Sequence, residues 1–214
     1  MTTPRPLANA SKAKPLKRPT QARAKVTVQA VFDAFVRIWQ RDGWQRLTTR
    51  AVALETGIAV GTLYDYFPSK TALLSGYVRH CIETLLSEID RQAVSPPGLA
   101  WTERLDTLVR LCCGVDAPEL PWFHRDMLAL ETEMAEPKHQ ARANEELAAA
   151  WSRVFAACTD LPHPPPDHVV RSLHLAVWGG RRYAMLVQLD ADAMARWSAD
   201  MAALCRGAAR AADA

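Results

Sequence analysis

Residues 46–70 hold the side chains of this sequence that are best suited to contacting a nucleic acid. Threonine, tyrosine, glycine and basic residues are interspersed there with apolar residues. A threonine hydroxyl bonds a base or a phosphate while its methyl group meets a thymine methyl, and tyrosine hydroxyls donate to phosphate oxygens. Glycine lets a backbone approach its ligand closely. The chemistry that this segment predicts is therefore contact with double-stranded DNA.

Two short helices with a glycine turn between them must position these side chains. Thr48 is predicted to cap a helix over 49–56, Gly57 supplies the turn, and a second helix over 61–67 ends before Pro68. This order of elements is a helix-turn-helix. The apolar residues predicted to hold it together are Val52, Ala53, Ile58, Leu63 and Phe67.

The phase of the second helix leaves a mixed polar face toward solvent. Arg50 can reach a phosphate or a guanine edge, and Lys70 adds positive charge at the start of the next helix. A plain pair of helices without a DNA role has the same glycine turn, so the geometry alone leaves both readings open. The residues predicted to face outward are Val60, Gly61, Thr62, Tyr64 and Tyr66.

The whole string is more specific than its geometry, because it resembles the TetR (tetracycline-repressor-like) family over about residues 24–75. The pieces that carry the resemblance are LTTR at 47–50, VA at 52–53, GI at 57–58, GTLY at 61–64, YFPSK at 66–70 and LL at 73–74. Two residues depart from the usual pattern. Asp65 puts an acid beside the presumed phosphate contacts, and Thr56 stands where alanine is common.

The resemblance implies an all-α fold of about nine helices, with an N-terminal helix-turn-helix domain and a C-terminal helical domain for ligand binding and dimerisation. It implies a homodimer on a pseudo-palindromic operator, and a repressor that an unknown small-molecule effector releases. The residues that it places at the DNA are Thr49, Arg50, Val60, Gly61, Thr62, Tyr64, Tyr66 and Lys70.

The rest of the chain shows helical periodicity with proline and glycine breaks, and no strand-like alternation of any length. We predict a disordered basic tail over 1–19, the helix-turn-helix domain over 20–68 and the second domain over 69–214. Residues 1–25 carry a charge of +7, so the remainder sums to −4 within a net +3. A basic tail on a mildly acidic body favours a polyanionic partner, although a solubilising tail has the same composition.

The C-terminal part is rich in aromatic and methionine side chains, which line apolar ligand sites but also fill ordinary cores. We predict an effector site from this set. The expected ligand-binding residues are Trp122, Met127, Trp151, Phe155, His174 and Trp178. The basic residues that can orient an acidic or carbonyl-bearing ligand there, or equally lie in solvent, are His124, Arg125, Arg181 and Arg182.

The last two predicted helices carry apolar stripes at alternating three- and four-residue spacing, which is typical of a helix-to-helix seam. We predict a dimer interface there, the alternative being that the stripes face their own core. One stripe is Met194, Trp197, Met201, Leu204 and Ala208, and the other is Val170, Leu173, Val177 and Ala184. Gly179 and Gly180 are expected to permit close helix approach.

Composition limits the classes of protein to which this chain can belong. No apolar run reaches the roughly 20 residues of a membrane span and no secretory signal is evident, so we expect a cytoplasmic protein. The five cysteines and the histidines His163, His168 and His174 lack zinc-site spacing, and the cysteines are expected to be reduced and mostly buried. We predict no metal, no cofactor and no catalytic residues. The alternatives are an all-α enzyme acting on a small apolar compound and a non-specific architectural DNA binder.

Overall fold

A computed structural model describes residues 22–134 and 136–211. Within these ranges the regular structure is helical throughout, and the predicted all-α class is confirmed. The helices are α1 (Ala22–Arg46), α2 (Thr49–Thr56), α3 (Val60–Tyr66), α4 (Lys70–Ile89), α5 (Trp101–Cys113), α6 (Arg125–Met134), α7 (Pro137–Ala157), α8 (Asp167–Leu186) and α9 (Ala191–Ala211). The predicted tail over 1–19 lies outside the described residues.

The first long helix does not run unbroken to its end. Gly43 has φ 76° and ψ 168°, a conformation that is nearly exclusive to glycine, and a short helical turn then continues to Arg46. Gly43 therefore ends the regular part of α1, and one short turn follows it. This turn delivers the chain to Thr48, which caps the next helix.

Local signals also set the ends of α2, α3 and α4. The Thr48 hydroxyl accepts from Ala51 N at 3.1 Å, and the Ser69 hydroxyl accepts from Ala72 N at 3.0 Å. Each side chain satisfies one of the N–H groups that the first turn of a helix leaves without a partner. The cap predicted at Thr48 is thus confirmed, and Ser69 caps α4 in the same way. The third helix begins at Val60, one residue earlier than predicted.

The chain divides into two compact units, and the described part of the first comprises residues 22–80 with Leu130–Met134. Its core is aromatic. The ring of Phe35 lies 5.0 Å from Tyr77 and 5.4 Å from Trp39, and the ring of Phe32 lies 5.6 Å from Phe67. These contacts tie α1 to α4 and to the end of α3. Aromatic pairs at such distances add stability beyond the area that they bury.

The second unit comprises Cys81–Ala129 with 136–211 among the described residues. Its core gathers apolar side chains from the end of α4 and from α5, α7, α8 and α9. The α8 stripe predicted to form a dimer interface is part of this core, because Val170, Val177 and Ala184 are only 3%, 0% and 4% exposed. That prediction is wrong for α8, and the alternative reading, that the stripe faces its own core, is the correct one.

The α9 stripe also turns mostly inward. Trp197 and Met201 are half-buried and pack against the same core, whereas Leu204 is 62% exposed. Gly180 allows the close approach that the sequence predicted, since a Cβ there would lie 2.6 Å from Trp197 Cζ2. Gly179 has open space around it. The two glycines therefore face different surroundings.

A buried arginine closes the corner between α4 and α5. After Ile89 the chain continues as a π-helical turn, Asp90–Val94, and Arg104 lies beneath the end of this turn with 5% of its surface exposed. Its guanidinium donates to the carbonyl oxygens of Ala93 (2.6 Å), Val94 (3.0 Å), Pro96 (2.7 Å) and Leu99 (3.1 Å). One side chain thus satisfies the carbonyls that the end of a helix leaves open.

The cysteines are free thiols in the described chain, and only Cys81 is partly exposed. Burial raises the pKa of Cys112 and of Cys205 to about 12 and that of Cys158 to about 11. Thiols with such pKa values carry almost no thiolate at neutral pH and are weak nucleophiles. In the described ranges no helix is both long enough and apolar enough to cross a membrane.

Candidate nucleic-acid interface

The turn between α2 and α3 is fixed by backbone geometry. Gly57 adopts a left-handed conformation with φ 75° and ψ 20°, and its N–H donates to Leu54 O at 3.1 Å. The next N–H, of Ile58, donates to Ala53 O at 3.1 Å. These bonds give partners to two of the last carbonyls of α2. The third helix then begins at Val60. Glycine is required because other residues rarely adopt this backbone conformation.

One side of α3 packs against the rest of its domain, and the opposite side is exposed to solvent. Leu63 is fully buried and Phe67, just after the helix, is 3% exposed. Val52 and Ala53 of α2 are likewise fully buried, as predicted. On the opposite side Val60 is 37% and Tyr64 is 44% exposed, and Gly61 and Thr62 are also exposed. A short helix with this division can enter a groove without disturbing the core.

Thr49 and Tyr66 are less accessible than the sequence suggested. Thr49 is 9% exposed, and its hydroxyl oxygen lies 3.2 Å from that of Tyr64. Tyr66 is half-buried with its ring centroid 6.4 Å from that of Phe67. The structure therefore makes Thr49 a support for Tyr64, and leaves the exposed part of Tyr64 to face solvent.

Lys70 is engaged within its own domain. Its Nζ lies 3.9 Å from the centroid of the Trp44 ring and donates to the Trp44 carbonyl oxygen. Partial burial lowers the pKa of this ammonium. Lys70 thus fixes the short turn after Gly43 to the start of α4, and its charge adds to the potential of the surface around it.

Some charged side chains of α1 and α2 pair with one another, and others are exposed near the start of α2. Glu55 of α2 accepts from Arg37 Nε at 2.9 Å and from Arg41 Nη1 at 3.2 Å, and these hydrogen bonds, that of Arg37 foremost, lower the pKa of Glu55. The two arginines of α1 thus compensate the negative charge of Glu55. Arg46 and Arg50, near the start of α2, are both exposed. Arg46 was not singled out from the sequence, although a basic residue two positions before the cap was a usable signal.

The predicted ligand-binding residues divide into two groups. Trp151 and Phe155 of α7 are buried, and the Trp151 ring lies 6.0 Å from that of the buried His174 on α8. Trp178 is half-buried, one helical turn after His174. Met127 is fully buried. Trp122 instead precedes α6 and stacks on His124 with ring centroids 5.6 Å apart.

The basic residues predicted near a ligand are also separated. His124 and Arg125 lie at the surface and contact Asp126 at 3.4 Å and 3.7 Å. Arg182 donates to Leu128 O at 3.4 Å. Arg181 lies between two aromatic side chains, with its guanidinium carbon 5.3 Å from the Phe123 ring and 5.1 Å from the Trp178 ring. In the described ranges no group of three or more His, Cys, Asp or Glu side chains has metal-binding geometry.

The described chain thus consists of an N-terminal helix-turn-helix followed by a helical second unit. Residues 31–76 match the family described as bacterial regulatory proteins, tetR family. The resemblance to the TetR family is thus confirmed over these residues. The HTH-type transcriptional repressor KstR of Rhodococcus jostii is 35% identical over 79 residues, which are 37% of this chain and 35% of the repressor. The chain thus matches about a third of that relative's length.

Solved structures extend the likeness to the fold of the whole described chain. A TetR transcription regulator from Haloarcula marismortui superimposes with a TM-score of 0.59 over 87% of this chain and 98% of its own, at 18% identity. A SmeT-Triclosan complex gives a TM-score of 0.54 over 83% of this chain and 90% of its own, at 17% identity. The helical second unit is therefore the TetR fold.

Proposed function

We propose that this chain is a sequence-specific DNA-binding transcriptional regulator and that it acts as a repressor. The observation that carries the proposal is the exposed face of α3, with Gly61, Thr62 and Tyr64 outward while Leu63 is fully buried. Thr62 would meet base edges, Tyr64 and Arg50 would bond phosphates, and Gly61 would admit the groove wall. The name of the matched KstR relative supports repression.

The domain organisation that we propose follows from this assignment. Residues 20–68 form the DNA-binding domain, and 69–214 form the ligand-binding and dimerisation domain. The predicted basic tail would lie along phosphates or a minor groove beside the first domain. A regulator that binds an operator works where the chromosome is, which makes the bacterial cytoplasm its site of action.

A single short helix reads too little sequence, so the proposal includes a homodimer. Two α3 helices about 34 Å apart would enter successive major grooves of a pseudo-palindromic operator. The exposed apolar side chains of α8 supply a face for the second copy. Leu175, Tyr183 and Leu186 are 57%, 68% and 50% exposed and recur on one side of the helix, and Leu204 of α9 is 62% exposed.

The dimer is tested by sedimentation of the intact protein. Leu175→Glu combined with Leu186→Glu should convert the dimer to a monomer and abolish operator binding, because buried carboxylates without partners oppose association. The matched control is Leu54→Glu, since Leu54 is 82% exposed on α2. A monomeric wild-type protein that still binds its operator tightly would rule out this part of the proposal.

We also propose that a small molecule bound within the second unit releases the DNA. The described aromatic and buried polar side chains around Trp151 and His174 support a ligand site, and a neighbour in fold is titled as a triclosan complex. The ligand acts only through a difference in its affinity for the two states of the protein. Equal affinity for free and operator-bound protein would therefore contradict the proposal.

Fluorescence anisotropy on DNA from upstream of the protein's own gene tests DNA binding directly. A preference of about 10³ over random DNA, retained between about 50 and 200 mM salt, is expected. Thr62→Ala and Arg50→Ala should each weaken binding, whereas the exposed Arg142→Ala on α7 should not. Equal affinity for both DNAs would favour the architectural binder, and turnover of an apolar compound without DNA binding would favour the enzyme.

A further inference from the structure

In the described part of the second unit, two buried ring nitrogens have no nitrogen or oxygen atom as a hydrogen-bond partner. They are Nε1 of Trp151 and Nδ1 of His174, in side chains that are 0% and 1% exposed. The Cys112 thiol, a weak acceptor, is the polar group that interacts with the indole. Buried polar atoms are almost always paired, because leaving one unpaired costs free energy. The two rings that carry these atoms have centroids 6.0 Å apart, so both polar atoms lie in one small region of the core.

The hydrogen-bonding roles of the two nitrogens are opposite. His174 Nε2 lies 3.0 Å from Asn144 Oδ1, and this oxygen only accepts, so Nε2 carries the ring proton. Burial lowers the pKa of His174, so the ring is neutral at pH 7 and Nδ1 is an acceptor. The indole N–H of Trp151 is a donor. A group that complements both must donate one hydrogen bond and accept another.

The surroundings of this pair are apolar except for one arginine of α8. Phe155 and Leu147 lie one turn away from Trp151 on either side along α7, and both are buried. On α8 the guanidinium of Arg181 lies over the ring of Trp178, and its positive charge acts on the Cys112 thiol. A cationic ligand is therefore disfavoured, and the body of an occupant would rest against hydrocarbon and aromatic side chains.

We propose that the effector of this protein is an uncharged alcohol or phenol with an apolar body, bound through one hydroxyl group between Trp151 and His174. The hydroxyl hydrogen is donated to His174 Nδ1 and the hydroxyl oxygen accepts from Trp151 Nε1. This inference rests on the proposed ligand response and adds the chemical class of the ligand. Asn144 is a positioning residue, since it fixes the ring proton on Nε2.

Calorimetric titration of the full chain without DNA tests the site with four probes of one shape. They are 4-ethylphenol, 4-ethylanisole, ethylbenzene and 4-ethylbenzoate. The phenol should bind about tenfold more tightly than the anisole, which accepts a hydrogen bond but donates none, and more tightly again than ethylbenzene. Equal affinity for phenol and anisole, or a preference for the benzoate, would overturn the proposal. Absence of phenol binding would also overturn it, because ordered water then suffices for both nitrogens.

Trp151→Phe and His174→Phe should each reduce the affinity for 4-ethylphenol to that for the anisole, with little effect on ethylbenzene. The matched control is His168→Phe, an exposed histidine on the same helix. Where circular dichroism shows that a variant is unfolded, the probe series on the wild-type protein still decides. Phenol binding without release of operator DNA would uphold the site and refute the proposed ligand response, whereas DNA release without the phenol preference would do the reverse.

Discussion

The hydroxyl oxygens of Thr49 and Tyr64 lie 3.2 Å apart, joining the first residue of α2 to the middle of α3. Thr49 is buried, so its hydroxyl serves the protein, and Tyr64 keeps part of its ring exposed. The pair orients a side chain of the proposed DNA-contacting face. The two helices of the motif are thereby connected by a polar contact as well as by apolar packing.

Thr49→Val removes this hydroxyl while keeping the shape of the side chain. We expect a loss of about 1 kcal/mol in the free energy of unfolding and a loss of severalfold in operator affinity, because Tyr64 is no longer held in place. Tyr64→Phe should have a similar effect, and the double variant should cost less than the two single effects combined. Urea unfolding and anisotropy measure the cycle. Additive effects would show that the two hydroxyls act independently.

Arg104→Met should destabilise the protein strongly. The methionine keeps the hydrocarbon stem but leaves four carbonyl oxygens without their donor, and we expect a loss of about 3–5 kcal/mol in unfolding free energy. The control is Arg142→Met. It removes an exposed ion pair with Glu146, which should contribute less than about 0.5 kcal/mol to the free energy of unfolding. Comparable urea midpoints for both variants would mean that water replaces the guanidinium.

Gly180→Ala in α8 and Gly61→Ala in α3 add the same methyl group, but we expect opposite effects on stability. The methyl group at 180 would clash with the Trp197 ring, which would have to leave its packed position, at a cost of about 1–3 kcal/mol. At 61 the space is open, so stability should stay level or rise by up to about 1 kcal/mol. Thermal melts provide the comparison. Operator affinity should fall for Gly61→Ala alone, since the methyl group would face the DNA.

Stability should decrease between pH 7 and pH 5 because of His174. Its pKa is lowered in the folded protein by burial, whereas the unfolded chain binds a proton near the ordinary value of 6.5. The unfolded state thus holds more protons in this window, and the unfolding free energy falls by at most about 1.4 kcal/mol per pH unit as the pH drops. The carboxyl pKa values lowered by arginine and glutamine contacts, such as those of Glu55 and Glu119, act below this range.

The measurement is a series of thermal melts of wild type and His174→Phe between pH 5 and 7. The variant lacks the titrating group, so its melting temperature should change less with pH than that of the wild type. His168→Phe removes an exposed histidine from the same helix and should keep the wild-type slope. Parallel slopes for all three proteins would place the pH dependence elsewhere.

The helix-turn-helix was readable from the sequence because its signals are local. Thr48, Gly57 and Pro68 mark the ends of elements through their own chemistry, and the buried Leu63 follows from helical spacing. The contact between Thr49 and Tyr64 was not readable, since nothing in the identity of either residue names the other as its partner. Lys70 was placed at the DNA for its charge, and only the structure shows the Trp44 ring against it.

The apolar stripes that were predicted to form a dimer interface show what helical periodicity cannot predict. Val170 and Val177 have the spacing of a helix-to-helix seam, but a seam within one subunit has the same spacing as a seam between two. The exposed apolar face of α8 carries Leu175 and Tyr183. The spacing of apolar residues predicts that they share one side of a helix. It does not predict whether the same subunit or a second one covers that side.

The corner closed by Arg104 has a consequence for how the second unit folds. Its four acceptors precede it by only 5 to 11 residues, so the loop that must be ordered is short and the entropy lost in closing it is small. We expect contacts of such low sequence separation to form early in folding, before distant helices such as α8 and α9 dock. Arg104 would then give these later helices a corner that is already formed.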